Sequence, residues 1–282
     1  AELGLARALA KQGDPAAAAQ AFDAILGRTT DDAQAAALAF EKGRALEAAG
    51  DSAAAIAAYE SAEAREPKGD VALHASLARA RLLQTDRPAD AADLLARLVD
   101  GDEARARLEG IGQPVDALLA ERGWALLDAD KVEEADKTFA DLLEQFPRGP
   151  FAADARFNLA ESANERKDYA EVVRLLSPLV EPEGPDADAP RLPDRLAPDV
   201  LYRLGRTRIA LGDWPKAAET LDRLLAEAPD GPRSREARFL RAEAALRQDQ
   251  FEAAEKGPPP GRTTRRTWGP SPASAGSSAC WA

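Results

Sequence analysis

The chain of 282 residues contains no methionine, one histidine, one cysteine and few aromatic residues, 5% in all. Each scarcity excludes something. A single cysteine, Cys280, permits no intrachain disulfide and leaves the redox compartment undecided. His74, alone on an expected helix with no second His or Cys, lacks the companions of a metal site and reads as a surface or packing residue. The acidic pairs Asp128/Asp130 and Asp186/Asp188 lack the glycine and terminal Glu of a calcium loop, and read as solvated turn acids. With no glycine-rich phosphate loop and no nucleophile beside a base, the sequence offers no catalytic residue, and neither metal nor cofactor is expected. No run approaches the roughly 18 apolar residues of a membrane span. The opening Ala1-Glu2-Leu3-Gly4 carries neither an initiator Met nor a charged-then-apolar signal, so any export signal or lipid anchor is expected to lie outside this sequence.

What is abundant is alanine and charge. Hydrophobic residues make up 45% and charged residues 30%, a composition suited to many short helices packed through small side chains rather than to one thick core. The formal net charge is −12, and since residues 257–282 hold three arginines and no acid, residues 1–256 alone carry −15. Such a charge repels phosphate backbones and anionic lipid surfaces, so no nucleic-acid partner is expected, and without an apolar run no direct membrane insertion of this stretch is expected either.

A repeat runs through this composition. A small residue recurs in successive expected helices at Ala6, Gly43, Ala78, Gly123, Ala160, Gly205 and Ala242. Each of the first six is followed by a second helix whose buried face is marked by Ala18/Phe22/Ile25, Ala55/Tyr59/Ala62, Ala91/Leu95/Leu98, Ala135/Phe139/Leu142, Val172/Leu176/Leu179 and Ala217/Leu221/Leu224. The i, i+4, i+7 spacing places each set on one helical face. Between the paired helices stand turn signals such as Gly13-Asp14-Pro15, Gly50-Asp51-Ser52, Asp86-Arg87-Pro88 and Gly212-Asp213-Trp214-Pro215; Pro67, Pro147 and Pro229 close three second helices. Residues 1–256 are therefore read as thirteen or fourteen antiparallel helices with no strand. Lys42, Arg122 and Arg241 precede the small residue where other units have Leu, and looser interfaces are expected there. Insertions fall near 100–114, where an extra helical turn or two fits, and at 181–198, where five prolines require an extended loop.

In these residues the chain resembles the tetratricopeptide repeat family: a small residue in the first helix, Ala and then an aromatic or Leu in the second, and a closing Pro. The resemblance implies an all-α, right-handed α-solenoid of about seven helix pairs, the last incomplete, over residues 1–256. Gln145-Phe146-Pro147-Arg148-Gly149-Pro150-Phe151-Ala152 and Gly212-Asp213-Trp214-Pro215-Lys216-Ala217-Ala218 are most similar to the bacterial envelope subgroup, which includes outer-membrane assembly lipoproteins and Tol-Pal accessory proteins. That implies a periplasmic or cell-envelope setting, with a cytoplasmic one as the alternative. In the seventh unit Pro258 stands in the aromatic position, and from Gly257 the chain switches to Gly, Pro, Arg, Ser and Thr. Residues 257–282 are expected to be disordered, either as a natural tail or, on the abruptness of the switch, as a non-native stretch from a reading-frame error or junction.

By the same resemblance, the first helix of each pair lines a concave groove. Three residues before the small position stand Leu3, Phe40, Ala75, Ala120, Phe157, Tyr202 and Phe239; one after it stand Arg7, Arg44, Arg79, Trp124, Glu161, Arg206 and Glu243. Four apart, the two sets share one face. Arg7, Phe40, Arg44, Arg79, Trp124, Phe157, Tyr202, Arg206 and Phe239 are thus the candidate partner-binding residues, with Arg7, Arg44 and Arg79 forming a row suited to an acidic peptide or a terminal carboxylate. The alternative is internal: the rings pack one unit on the next, and the arginines pair with Glu41 or Glu47. The functional expectation is a non-catalytic scaffold binding a protein or peptide partner. The alternative is a regulatory or substrate-recruiting region of a larger enzyme, and capture of a small ligand or glycan is disfavoured for want of convergent polar groups.

Overall fold

The computed structural model describes residues 1–181 and 192–248; the expectations for Pro182–Pro190, for Asp186/Asp188 and for the tail from Gly257 lie outside them. Among the described residues there are fourteen helices and no strand: α1 Glu2–Lys11, α2 Pro15–Leu26, α3 Asp32–Ala48, α4 Ser52–Arg65, α5 Asp70–Asp86, α6 Pro88–Val99, α7 Asp102–Gly110, α8 Val115–Asp128, α9 Val132–Gln145, α10 Ala152–Glu165, α11 Tyr169–Val180, α12 Ala197–Ala210, α13 Trp214–Glu227 and α14 Ser234–Arg247. The insertion near 100–114 is α7, nine residues anchored by fully buried Leu108. The chain forms two compact units, residues 1–138 and 139–282, divided within α9.

Turn chemistry sets the helix boundaries. The carboxylates of Asp14, Asp51, Asp168 and Asp213 each accept from the backbone N–H three residues on, satisfying an amide that the first turn leaves unpaired. The residue seven beyond the small position is left-handed in five units. It is Gly13, Gly50 and Gly212 in three, but Asp130 (φ 59°) and Lys167 (φ 61°) in two. The turn after α5 differs: the helix runs into Arg87-Pro88, and Arg87 keeps a negative φ (−141°).

Within each unit the small positions admit the large residue of the second helix. Ala6 and Phe22 share one core cluster, and Gly205 lies under Leu221, where a Cβ would stand 2.8 Å from the leucine. In residues 139–248 the core joins α10 to α14 through Ala160, Leu176, Leu201, Leu204, Leu221 and Ala237. Full burial of each leucine contributes about 1.5–3 kcal/mol.

The expected looser interfaces are instead ion-paired. Lys42 reaches Asp23 of α2 at 2.6 Å, Arg122 reaches Asp100 at the end of α6 at 3.2 Å, and Arg241 reaches Asp222 of α13 at 2.9 Å. In each case a largely buried cationic side chain meets an exposed acid at the rim.

Arg208 departs most from the repeat pattern. It stands three residues past Gly205, where Leu9, Leu46 and Leu126 follow their own small residues, yet it is only 2% exposed. Its guanidinium donates to Glu181 at 2.7 Å, Thr220 Oγ1 at 2.5 Å and Ser177 Oγ at 3.3 Å, tying the end of α11 to α12 and α13. Composition alone carries no signal for this, since arginine is ordinarily a surface residue.

Candidate functional site

The arginine row depends on register, and one member belongs to a different register. Ala78 is only half-buried, whereas Ala80 is 1% exposed and lies 37 residues after Gly43, the spacing that also separates Ala6 from Gly43. Leu83 then takes the position of Leu9, Leu46 and Leu126. Ala80 is therefore the small residue of α5, and Arg79 precedes it. Arg79 accordingly does what Lys42 and Arg241 do: it turns back to the preceding second helix, reaching Glu60 at 2.9 Å and Glu63 at 3.1 Å of α4. The residue of α5 equivalent to Arg7 and Arg44 is Arg81. The one-residue shorter turn at Arg87-Pro88 conceals this shift in the sequence.

With that correction a cross-unit rule emerges. The residue after the small position meets the residue two before the small position of the next unit. Arg7 holds Glu41 through Nε at 2.9 Å and Nη2 at 2.5 Å. Arg81 attracts the carboxylate of Glu121, although burial outweighs that attraction and raises the Glu121 pKa. In the second unit the polarity reverses, and Arg203 is bidentate to Glu161 at 2.5 Å on both arms. At Arg44 the opposing residue is Ala78, which carries no charge. Arg44 is exposed and has no ion pair among the described residues.

The surroundings of Arg44 are aromatic. Phe40, one turn before it on α3, lies with its ring 5.6 Å from that of Tyr59 and 6.3 Å from that of exposed His74 on α5. Tyr59 is fully buried and donates to Glu47 at 2.7 Å. Burial first, and then this bond, push the phenol pKa up; the nearby Arg44 charge acts in the opposite direction. Glu47 is thus engaged by Tyr59, so the expected internal pairing holds for Arg7 with Glu41 and not for Arg44 with Glu47.

The other candidates divide by burial. Phe157 is half-buried against the core of the second unit. Tyr202 is 4% exposed, lies under Arg233 at 4.9 Å and is hydrogen-bonded to Glu236, so its ring packs one repeat on the next rather than facing a ligand. Trp124 is half-buried, Arg206 is exposed, and Phe239 is 45% exposed. His74, read as a plain surface or packing residue, is one wall of the Arg44 environment. Sequence reasoning named Glu41 as a partner but not Arg81, Glu121 or Arg203; Glu121 and Arg203 stand two before Gly123 and Gly205, and Arg81 follows once Ala80 is taken as the small residue.

Among the described residues no cluster of His, Cys, Asp or Glu has the arrangement of a metal site, and no helix is long and apolar enough to cross a membrane. The arrangement is that of a helical-repeat protein in which successive first helices are joined by ion pairs at Arg7–Glu41 and at Glu161–Arg203, while the position opposite Arg44 is the uncharged Ala78. The chain belongs to the tetratricopeptide repeat family, whose sequence profile matches residues 3–70, 40–107, 121–171 and 202–257. Proteins of this family generally mediate protein–protein interactions, on a fold that is typically non-catalytic. No curated protein matches the chain. Among solved structures it is similar to YrrB, described as a tetratricopeptide repeat protein with an unusual peptide-binding site (17% identity, TM-score 0.51, 78% of this chain and 98% of that one). It is also similar to PH0952 of Pyrococcus horikoshii, a signal-transduction ATPase with a tetratricopeptide repeat sensor (12% identity, TM-score 0.56, 90% of this chain and 40% of that one). At these identities the likeness is one of fold.

Proposed function

We propose that this protein is a non-catalytic scaffold whose first-helix face in residues 1–138 binds a segment of another protein, with Arg44 receiving a carboxylate and Phe40 and His74 forming the apolar wall beside it. The observation that carries the reading is the break in the ion-pair rule: Arg7 and Arg81 face Glu41 and Glu121, whereas Arg44 faces Ala78. A guanidinium with no ion pair among the described residues, one helical turn from half-buried Phe40, suits the planar carboxylate of an acidic side chain or a chain terminus. One such exposed contact contributes about 0.5–1 kcal/mol, so affinity rests on adding apolar contacts along the face.

The setting proposed with it is the bacterial cell envelope, on the resemblance of Gln145–Ala152 and Gly212–Ala218 to the envelope subgroup. Affinity capture with the intact gene product, followed by cross-linking of whatever co-purifies, tests both parts. Cross-links from the partner to α3 and α5 and recovery from the envelope fraction are expected. A catalytic domain joined to this region, or cross-links confined to the second helices, would favour the alternative of a recruiting region of an enzyme.

A further inference from the structure

We infer that the open face of α14 is a second docking surface, distinct from the Arg44 site, built for a partner's amphipathic helix that carries an arginine or lysine. The inference rests on internal precedent within the second unit. On α10, Phe157 and Glu161 stand four residues apart; Glu161 is held by both arms of Arg203 from α12, and Phe157 packs on the core that contains Val200, Leu201 and Leu204. On α14 the same pair recurs at the same repeat positions as Phe239 and Glu243.

Here, however, no helix follows among the described residues. Phe239 is 45% exposed and Leu246 49% exposed, and Glu243 has no ion pair among the described residues. Phe239, Ala242 and Leu246 fall on one helical face, with Glu243 beside Phe239 one turn on. The equivalent ring on α12, Tyr202, is 4% exposed because residues at the start of α14 cover it. An isolated exposed apolar residue requires no explanation. An exposed Phe and Leu on one face, with an acid placed as Glu161 is placed, specify what fits: apolar residues flanking a cation in the position of Arg203. Charge complementarity to Glu243 thus selects the occupant.

The experiment titrates the full chain with a labelled synthetic peptide of the α12 sequence, residues 197–210, and with the same peptide carrying Arg203→Glu. Saturable binding of the first and several-fold weaker binding of the second are expected. Phe239→Asp in the chain abolishes binding, and Glu243→Arg reverses the preference so that the Arg203→Glu peptide binds better. That reversal separates docking on α14 from displacement of the chain's own α12. Both chain variants retain the wild-type melting curve, as exposed positions should. No saturable binding at millimolar peptide, or binding indifferent to both chain variants, overturns the proposal. So does self-association that Phe239→Asp abolishes and the peptide cannot compete with, which assigns the face to a second copy. Loss of the Arg44 site leaves this titration unchanged, so the two readings fail separately.

Discussion

Gly43 of α3 and Tyr59 of α4 are in such close contact that a Cβ at Gly43 would stand 2.5 Å from the ring's Cε1. Tyr59 cannot retreat, being fully buried and fixed by its bond to Glu47. Helix propensity favours Gly43→Ala by about 1 kcal/mol, but overpacking costs about 1–3 kcal/mol, so a net loss of stability is expected. Gly205→Ala meets Cγ and Cδ2 of buried Leu221 at 2.8 Å, a less severe approach than the 2.5 Å at Gly43 and against a smaller side chain than the tyrosine ring, and is expected to cost less. Urea unfolding of the two variants orders them; equal or increased stability of Gly43→Ala contradicts the assignment.

These glycines show what was legible in sequence. Ala6, Gly43, Gly205 and their partners sixteen residues on form a pattern that depends only on helical period, so the helix pairs were readable from residues alone. The α5 register was not, because the turn at Arg87-Pro88 is shorter by one residue, so that the regular spacing points at Arg79 and leaves alanines on both sides of it, Ala78 and Ala80, as plausible small residues. Nor was the choice between groove and core for each aromatic. Tyr202 and Phe239 occupy equivalent positions, and their exposure differs because α14 covers one of them.

The left-handed turn residue offers a gain. Lys167 at φ 61° bears a strain that Gly13, Gly50 and Gly212 avoid at the equivalent position. Lys167→Gly is expected to raise stability by about 0.5–1 kcal/mol, the relief of the left-handed conformation being partly offset by the greater freedom of the unfolded chain. Thermal melting checks it, and a lower midpoint contradicts it.

Glu121 links stability to pH. Burial raises its pKa above the ordinary 4.5 despite the attraction of Arg81, so between that value and the folded-state pKa the native state holds more proton than the unfolded one. Its contribution is therefore favourable below about 4.5 and is lost as pH rises through the folded pKa. Glu121→Gln should flatten that part of the stability profile and raise stability at neutral pH. A profile unchanged by the substitution contradicts the burial argument.

Arg7 and Arg79 should behave differently although both are ion-paired. The Arg7 side chain is 55% exposed and its ion pair is screened by solvent, so Arg7→Gln is expected to leave stability almost unchanged. Arg79, at 13% exposure, serves both Glu60 and half-buried Glu63, whose carboxyl burial already pushes toward the neutral form. Arg79→Gln leaves Glu63 without its main counter-charge and is expected to cost about 1–3 kcal/mol. Chemical denaturation of both variants at neutral pH distinguishes them, and equal losses contradict the register correction.

The central claim is that Arg44 alone of the proposed row Arg7, Arg44 and Arg79 is available to a ligand. The most direct measurement titrates wild type, Arg7→Gln and Arg44→Gln with an extended Glu- and Leu-rich peptide bearing a free carboxylate, at low and high salt, alongside an amidated peptide with Gln in place of Glu. The account predicts that the acidic peptide binds wild type and Arg7→Gln alike, that salt weakens this binding, and that Arg44→Gln binds it about two- to five-fold more weakly, with less sensitivity to salt and no change in melting temperature. Equal binding by Arg44→Gln, or no preference for the acidic peptide over its neutral counterpart, would contradict it.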